Sequence, residues 1–474
     1  MKYTKTTAFL LALLLLLSSC GLITVNREGG DTAAAETEET FGDMPTLPPH
    51  ETYEEVTRPD GEAVAQNRLD ALPAADLDGR TVTFAVAEES GDFFNDEDGR
   101  YLTAVQIRSA MVTNKYNVLP LFLHEEQEAM LKKAEAAKYT NSFYSDFLVI
   151  RGGDLGAYME GGYLLNLNSL PYVDYTAPYY DADAMAQFTL DGVVYGALGD
   201  ATARFENHVC LYVNRELVSI DADDVRKGDF TWEVFLSSLE ALPEGTAKAV
   251  SLFDGETAAS LSFLAAGGHY LADNGQGVWR VSCVDPVTEA LAERFSDFFA
   301  EEWPTPEEGK DAFSLFVEGK AAYAFATLDE IDRLGTPGFL WEILPLPKRS
   351  EEADYRTPMT ADAPLIVGMA VGSNIDTMGL VLNALNAATG DYFYEVYYRE
   401  ALESYITGIR TLDMMDMLRQ TRVYDAGFLL SDTSEDLRKG TRNAFYQAVM
   451  REKTFASGFD AAKKALNRYL DGLV

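Results

Sequence analysis

The stretch Asp146–Leu167, DFLVIRGGDLGAYMEGGYLLNL, decides how this chain is read. Phe147-Leu148-Val149-Ile150 is a short apolar run, the pattern of a buried strand. It stops at Arg151-Gly152-Gly153-Asp154, and a helix is predicted behind it. Two glycines at that point let the backbone turn sharply or let another group come close to it.

The residues upstream give the turn a setting. Asp78-Gly79-Arg80 introduces a strand over Thr81–Val86, and Ala104–Tyr116 has helical spacing at Val105, Ile107, Ala110, Met111 and Tyr116. NVLPLFL (117–123) is a second apolar strand. EEQEAMLKKAEAAKY (125–139) is a helix former with acids in its first turn and lysines later, as the helix dipole favours. Strand and helix therefore alternate as βαβαβ, the pattern of a parallel sheet covered by helices. Ligands of such open sheets sit outside the carboxyl ends of strands. Arg151-Gly152-Gly153-Asp154 occupies one such end, so the turn is expected to line a binding crevice.

Downstream, LDGVVYGALGD (190–200) predicts a hairpin turn at Asp191-Gly192, a strand and a Gly-rich crossing. ENHVCLYVNREL (206–217) is a strand ending near Asn214-Arg215. GDFTWEVFLSSLEAL (228–242) starts a helix with Thr231 suited to its N-cap. An amphipathic helix follows at 289–303. Over 311–331 come a helix, a stop at Gly319, a strand and another helix start. WEILPLPK (341–348) and PLIVGMAVG (364–372) are strands, and the chain beyond about Met378 reads as helices.

The N-terminus opens MKYTKTTAFLLALLLLLSSC. Lys2 and Lys5 precede an apolar run, Phe9–Leu17, that is shorter than the roughly 20 residues needed to span a bilayer. This predicts a secretory signal over 1–19. Leu17-Ser18-Ser19-Cys20 resembles the bacterial lipobox, which implies cleavage before Cys20 and a diacylglyceryl group on its thiol. The protein is then expected on the extracellular face of the cell membrane, held by the lipid on Cys20. Residues 20–75 are rich in Glu, Thr, Ala, Gly and Pro and read as a disordered acidic tether.

With 76 acids against 38 Lys and Arg, the formal net charge of the 474-residue chain is −38. That excludes binding of nucleic acid or anionic lipid through basic patches. Of the remaining cysteines, Cys210 and Cys283, a disulfide and two buried thiols both stay open. No G-x-S-x-G, H-E-x-x-H or P-loop is present, and His50, His124, His208 and His269 are scattered. The reading is of a protein that is not an enzyme and uses no metal or cofactor.

In this order, DFLVIRGGDLGAYMEGGYLLNLNSLP, DGVVYGALGD, LYVNRELV, FTWEVF, FVEGKAAYAFA, ILPLPK and the helical tail resemble the extracellular solute-binding proteins of ABC importers, the maltose-type family. The resemblance runs through most of 78–474. It implies an α/β, periplasmic-binding-protein-like fold (type II), with two lobes joined by a hinge and the ligand held between them. It places the first lobe at 76–198 with 346–400 and the second at 199–345 with 401–474. The hinges fall near Leu198-Gly199 and Leu344-Pro345. It implies a receptor that captures a small solute, foremost an oligosaccharide or other carbohydrate, and delivers it to ABC permease subunits. A surface adhesion or sensory module on the same fold is the alternative.

Carried over position by position, the resemblance implies ligand contacts from Arg151, Gly152 and Asp154 at the turn. It adds Asp200, Thr202 and Arg204 after the first crossing, and Thr327 and Asp329 after the strand AAYAFA. Trp341 before the second crossing and Tyr446 in NAFYQAV complete the set. The sequence departs from sugar binders at two stacking positions. Ile150 lacks a ring, and Thr327-Leu328-Asp329 stands where a Trp is usual. With Arg151 and Arg204 nearby, the expected ligands extend to anionic and other polar solutes.

Overall fold

The computed structural model describes residues 60–473, apart from 91, 191, 274–278, 300–311, 336, 373 and 397–408. The stretch expected to be a signal peptide (1–19), Cys20, the expected tether as far as residue 59 and the expected turn residue Asp191 lie outside the described residues.

The described chain begins with a helix, α1 (Gly61–Asp70), capped by the Asp60 side chain, which accepts from the amides of Glu62 and Ala63. Ala65 and Leu69 of α1 are fully buried. The chain is folded from Asp60 on, so residues 60–75 do not belong to the expected tether. The βαβαβ unit follows as read: β1 (Arg80–Ala87), α2 (Leu102–Tyr116), β2 (Val118–Glu125), α3 (Gln127–Thr140) and β3 (Phe147–Arg151). β1 pairs in parallel with both neighbours, so that Phe84 stands beside Phe122 on one side and Phe147 on the other. α3 carries Glu128 in its first turn and Lys138 in its last. It ends where Asn141 takes the left-handed conformation that closes many helices. A short helix, α4 (Leu155–Gly161), follows β3.

The second sheet is built from β4 (Val209–Asn214), β5 (Ala247–Ser251), β6 (Ala321–Thr327) and β7 (Trp341–Leu344), in the order β7-β4-β6-β5. β6 runs parallel to β5 and antiparallel to β4. Every residue of β4 is buried, as its unbroken apolar run requires. The helix α5 (Gly255–Ala265) leaves the carboxyl end of β5. β8 (Pro364–Gly368) then returns to the first sheet and lies antiparallel to β3, giving the order β8-β3-β1-β2. Pro364 pairs with Arg151, which sets residues 361–363 beside the Gly-Gly turn.

Among the described residues, three segments run along the joint between the sheets. The first leaves the first sheet at Ala197, which bridges Ile366, and reaches β4 at Val209. The second was expected at Leu344-Pro345, but the structure puts it later. The Lys348 amide still donates to Phe230, beside the second sheet, and the chain crosses at Thr357–Thr360. There Met359 bridges His208, and the Thr360 amide donates to the Asn207 carbonyl. The third, Arg422–Val423, interrupts the tail read as wholly helical; it pairs in parallel with Thr357–Pro358.

Beyond β8 the chain adds α6 (Ile375–Ala388), which packs on α1 and α2. After the third crossing come α7 (Ala426–Leu430), α8 (Arg442–Val449) and α9 (Phe455–Gly472). Cys210 and Cys283 are both buried free thiols. Among the described residues no helix is long and apolar enough to cross a membrane.

Candidate functional site

The Gly-Gly turn is approached closely, and the group that approaches is the chain itself. A Cβ on Gly152 would come within 2.9 Å of the Leu429 side chain, and one on Gly153 within 2.7 Å of the Asp432 carboxylate. One on Gly156 would meet the Thr433 hydroxyl at 2.5 Å. Residues 429–433 are thus pressed onto the start of α4, and Gly152, expected to face a ligand, is covered by Leu429. The amides of Gly152 and Gly153 donate to the carbonyls of Ala363 and Ala361, both at 2.9 Å.

Arg151 stays partly exposed at the carboxyl end of β3. Its Nε donates to Asp362 at 2.7 Å, and a second nitrogen lies 3.6 Å from Asp154. Asp432, just after α7, acts on the same guanidinium electrostatically. Asp432 accepts from the buried Arg442 at 2.5 Å, and Arg442 also donates to Thr257 at 2.8 Å and lies over the Phe428 ring at 4.6 Å. Glu256, beside the start of α5, takes two hydrogen bonds from Arg438 at 2.7 and 3.3 Å. The Tyr446 hydroxyl sits here too, 2.4 Å from where a Cβ on Gly255 would be. Arg151, Asp154 and Tyr446 thus bound one charged seam between the carboxyl ends of β3 and β5.

A second group surrounds the first crossing. Glu206 is buried; it accepts from the Tyr101 hydroxyl at 3.0 Å, and Arg100 and Arg204 lie at 3.7 and 3.8 Å. Burial raises its carboxyl above the ordinary value despite the two arginines. Arg100 also reaches Asp332, after β6, at 2.5 Å. Asn207 donates to the Thr360 hydroxyl at 3.3 Å, while its own side-chain oxygen, buried, finds no donor among the described residues. At the end of β6 the Thr327 hydroxyl donates to Asp329 at 2.5 Å, and Arg204 acts on Asp329 electrostatically. Arg204, Thr327 and Asp329 are therefore brought together. Arg100, Tyr101, Glu206 and Asn207 belong with them and were missed: the first two follow Gly99 in a loop without periodic signal, and the other two lie just past Arg204 on the crossing, where no motif marked them.

Three expected residues stand elsewhere. Asp200 pairs with Arg68 of α1 at 2.8 Å, close to the ion pair of Arg422 with Asp181. Burial lifts its carboxyl from 3.8 to about 6, against the pull of Arg68, Arg422 and Arg419. Thr202 is fully buried, and its hydroxyl closes a turn by donating to the Gly199 carbonyl at 3.1 Å. Trp341 pairs with Asn214 at one end of β4, whereas Thr327 pairs with Val209 at the other. At about 3.3 Å per residue, that separates Trp341 from the crossing by roughly 17 Å; its ring packs near Tyr212 instead. A cavity of about 970 Å³ opens away from both groups, between Pro286–Ser296 and Arg451–Ala456.

The fold is similar to that of the sugar-binding protein MalE from Xanthomonas citri, with a TM-score of 0.57 and 12% identity over 82% of this chain and 97% of that one. It is also similar to a cyclic alpha-maltosyl-1,6-maltose binding protein from Arthrobacter globiformis, with a TM-score of 0.54 and 13% identity over 82% and 98%. A cyclo/maltodextrin-binding protein complexed with maltotetraose gives 0.55 and 14% over 82% and 96%. Identities this low speak to the fold alone. No curated protein matches the chain by sequence. Residues 117–376, more than half of the chain, match the family model for the bacterial extracellular solute-binding protein, and the chain belongs to that family.

Proposed function

We propose that this protein is a lipid-anchored receptor that captures a carbohydrate, foremost an oligosaccharide, outside the cell and hands it to an ABC permease. The observation that carries this reading is the convergence of two sheets' strand ends on one set of crossing strands. Charged and amide side chains gather there from both lobes around Glu206, Asn207 and Arg151. Buried groups with directed hydrogen bonds suit hydroxyl-rich solutes, and nothing in the seam requires covalent chemistry. The lipid follows from Leu17-Ser18-Ser19-Cys20. Acyl chains hold a protein to a bilayer at about 0.8 kcal/mol per buried CH₂.

A melting screen of the mature protein against neutral glycans, sugar acids and peptides tests the solute. A ligand present at 100 times its Kd adds about 2.7 kcal/mol by mass action and raises Tm. Glycans raising Tm support the reading, whereas a response to peptides alone removes the carbohydrate. Cys20→Ala is expected to abolish acyl labelling and to block the cleavage. Labelled fatty acid on that variant would overturn the anchor.

A further inference from the structure

Arg100 is the residue that touches three parts of the molecule at once. It belongs to the loop between β1 and α2, and its neighbour Tyr101 is locked in the first lobe against Phe93, with ring centroids 4.6 Å apart. One guanidinium nitrogen lies 3.7 Å from Glu206 on the first crossing, and another lies 2.5 Å from Asp332 in the second lobe. Tyr101 and Arg100 thus address the same Glu206 oxygen, which fixes that side chain from the first lobe. Asp332 sits just after β6, so the bond to it exists only when the two sheets are as close as they are here. An arginine suits this task because its planar, always charged group serves two acceptors in fixed directions.

We propose that Arg100 is a positioning residue whose bridge to Asp332 latches the lobes shut and, in the same movement, sets Glu206 for the solute. The solute part rests on the function proposed above; the latch does not. Arg204, Asp329 and Tyr101 face the same cluster, so removing Arg100 leaves Glu206 with other partners and the fold intact. The partial exposure of the pair, 18% for Arg100 and 41% for Asp332, limits the effect. A shift of roughly three- to tenfold in the closed share is expected.

The test uses small-angle scattering of the mature protein without solute, comparing wild type with Arg100→Gln, Asp332→Asn and the exchanged pair Arg100→Asp/Asp332→Arg. Both single variants are expected to show a larger radius of gyration. The exchanged pair is expected to return to the wild-type radius, and 1 M salt to expand wild type but not the single variants. Four equal radii overturn the latch. Once a solute is known, Arg100→Gln is expected to bind it about three- to tenfold more weakly. The exchanged pair, which closes but no longer holds Glu206, is expected to recover only part of that loss. Full recovery would remove the role in setting Glu206. A wild type that binds no glycan defeats the proposed function, while the solute-free radii still decide the latch.

Discussion

At the residue scale, the two glycines of the opening turn and the acid at Asp200 show how burial changes a side chain's meaning. Gly152 lies so close to Leu429 and the Ala363 carbonyl that an added methyl group would push against both. Gly152→Ala is expected to cost about 1–3 kcal/mol, the usual price of overpacking, read as a lower denaturant midpoint with an unchanged slope. Gly338, with nothing within 4 Å of an added Cβ, serves as the tolerant control. Asp200 carries a pH signature. Its carboxyl is held at about 6 in the folded chain, against 3.8 ordinarily, because burial disfavours the charge more than Arg68, Arg422 and Arg419 favour it. The folded state therefore keeps a proton that the unfolded chain has lost between those values. The stabilisation is complete below about pH 4 and is lost as pH rises through 6. Relative to Asp200→Asn, wild type is expected to lose on the order of 1–3 kcal/mol over that window. Parallel melting curves for the two proteins from pH 4 to 7 would contradict this.

At the scale of elements, what the sequence displayed was apolar continuity. β1, β3, β4, β6 and β8 are strands buried almost throughout, and each announces itself as a run of Val, Ile, Leu, Phe and Ala. What it hid was pairing between distant segments. Arg422–Val423 is two residues long and becomes a strand only because Thr357–Pro358 lies beside it. The second crossing was misplaced for the same reason, since two prolines look like a boundary while the hydrogen bonds come a dozen residues later. Of the site, the turn at Arg151 was legible from the strand that precedes it. Trp341 was not separable from it, because distance along a strand is invisible until the register is known. α1 escaped notice because GEAVAQNRLD has few large apolar residues and follows an acidic stretch. Yet Leu69 is fully buried and Arg68 bonds Asp200. A chain beginning at 72 is therefore expected to melt well below one beginning at 60, by about 2–5 kcal/mol for the Leu69 cavity alone. Equal melting temperatures would return α1 to the tether.

At the scale of the whole molecule, the two four-stranded sheets and the segments described between them shape what can move. Two lobes with a limited shared interface swing by default. A solute that touches both favours the closed form only through contacts made there. Shifting the balance from 1:99 to 99:1 takes about 5.5 kcal/mol, within reach of a few charge-assisted hydrogen bonds. Saturating solute is expected to reduce the radius of gyration, and an unchanged radius would describe a rigid binding module. The triple crossing has a mechanical consequence. Its backbones lie side by side: Met359 bridges His208, and the amides of Thr357 and Met359 donate to the carbonyls of Thr421 and Val423. They form a ribbon wide in one direction and one strand thick in the other. Such a strip bends easily across its thin dimension and resists bending within its own plane. Among the described residues, bending across that thin dimension is the soft motion of the joint. If the chain works as proposed, each closure brings the same pair of lobe faces together.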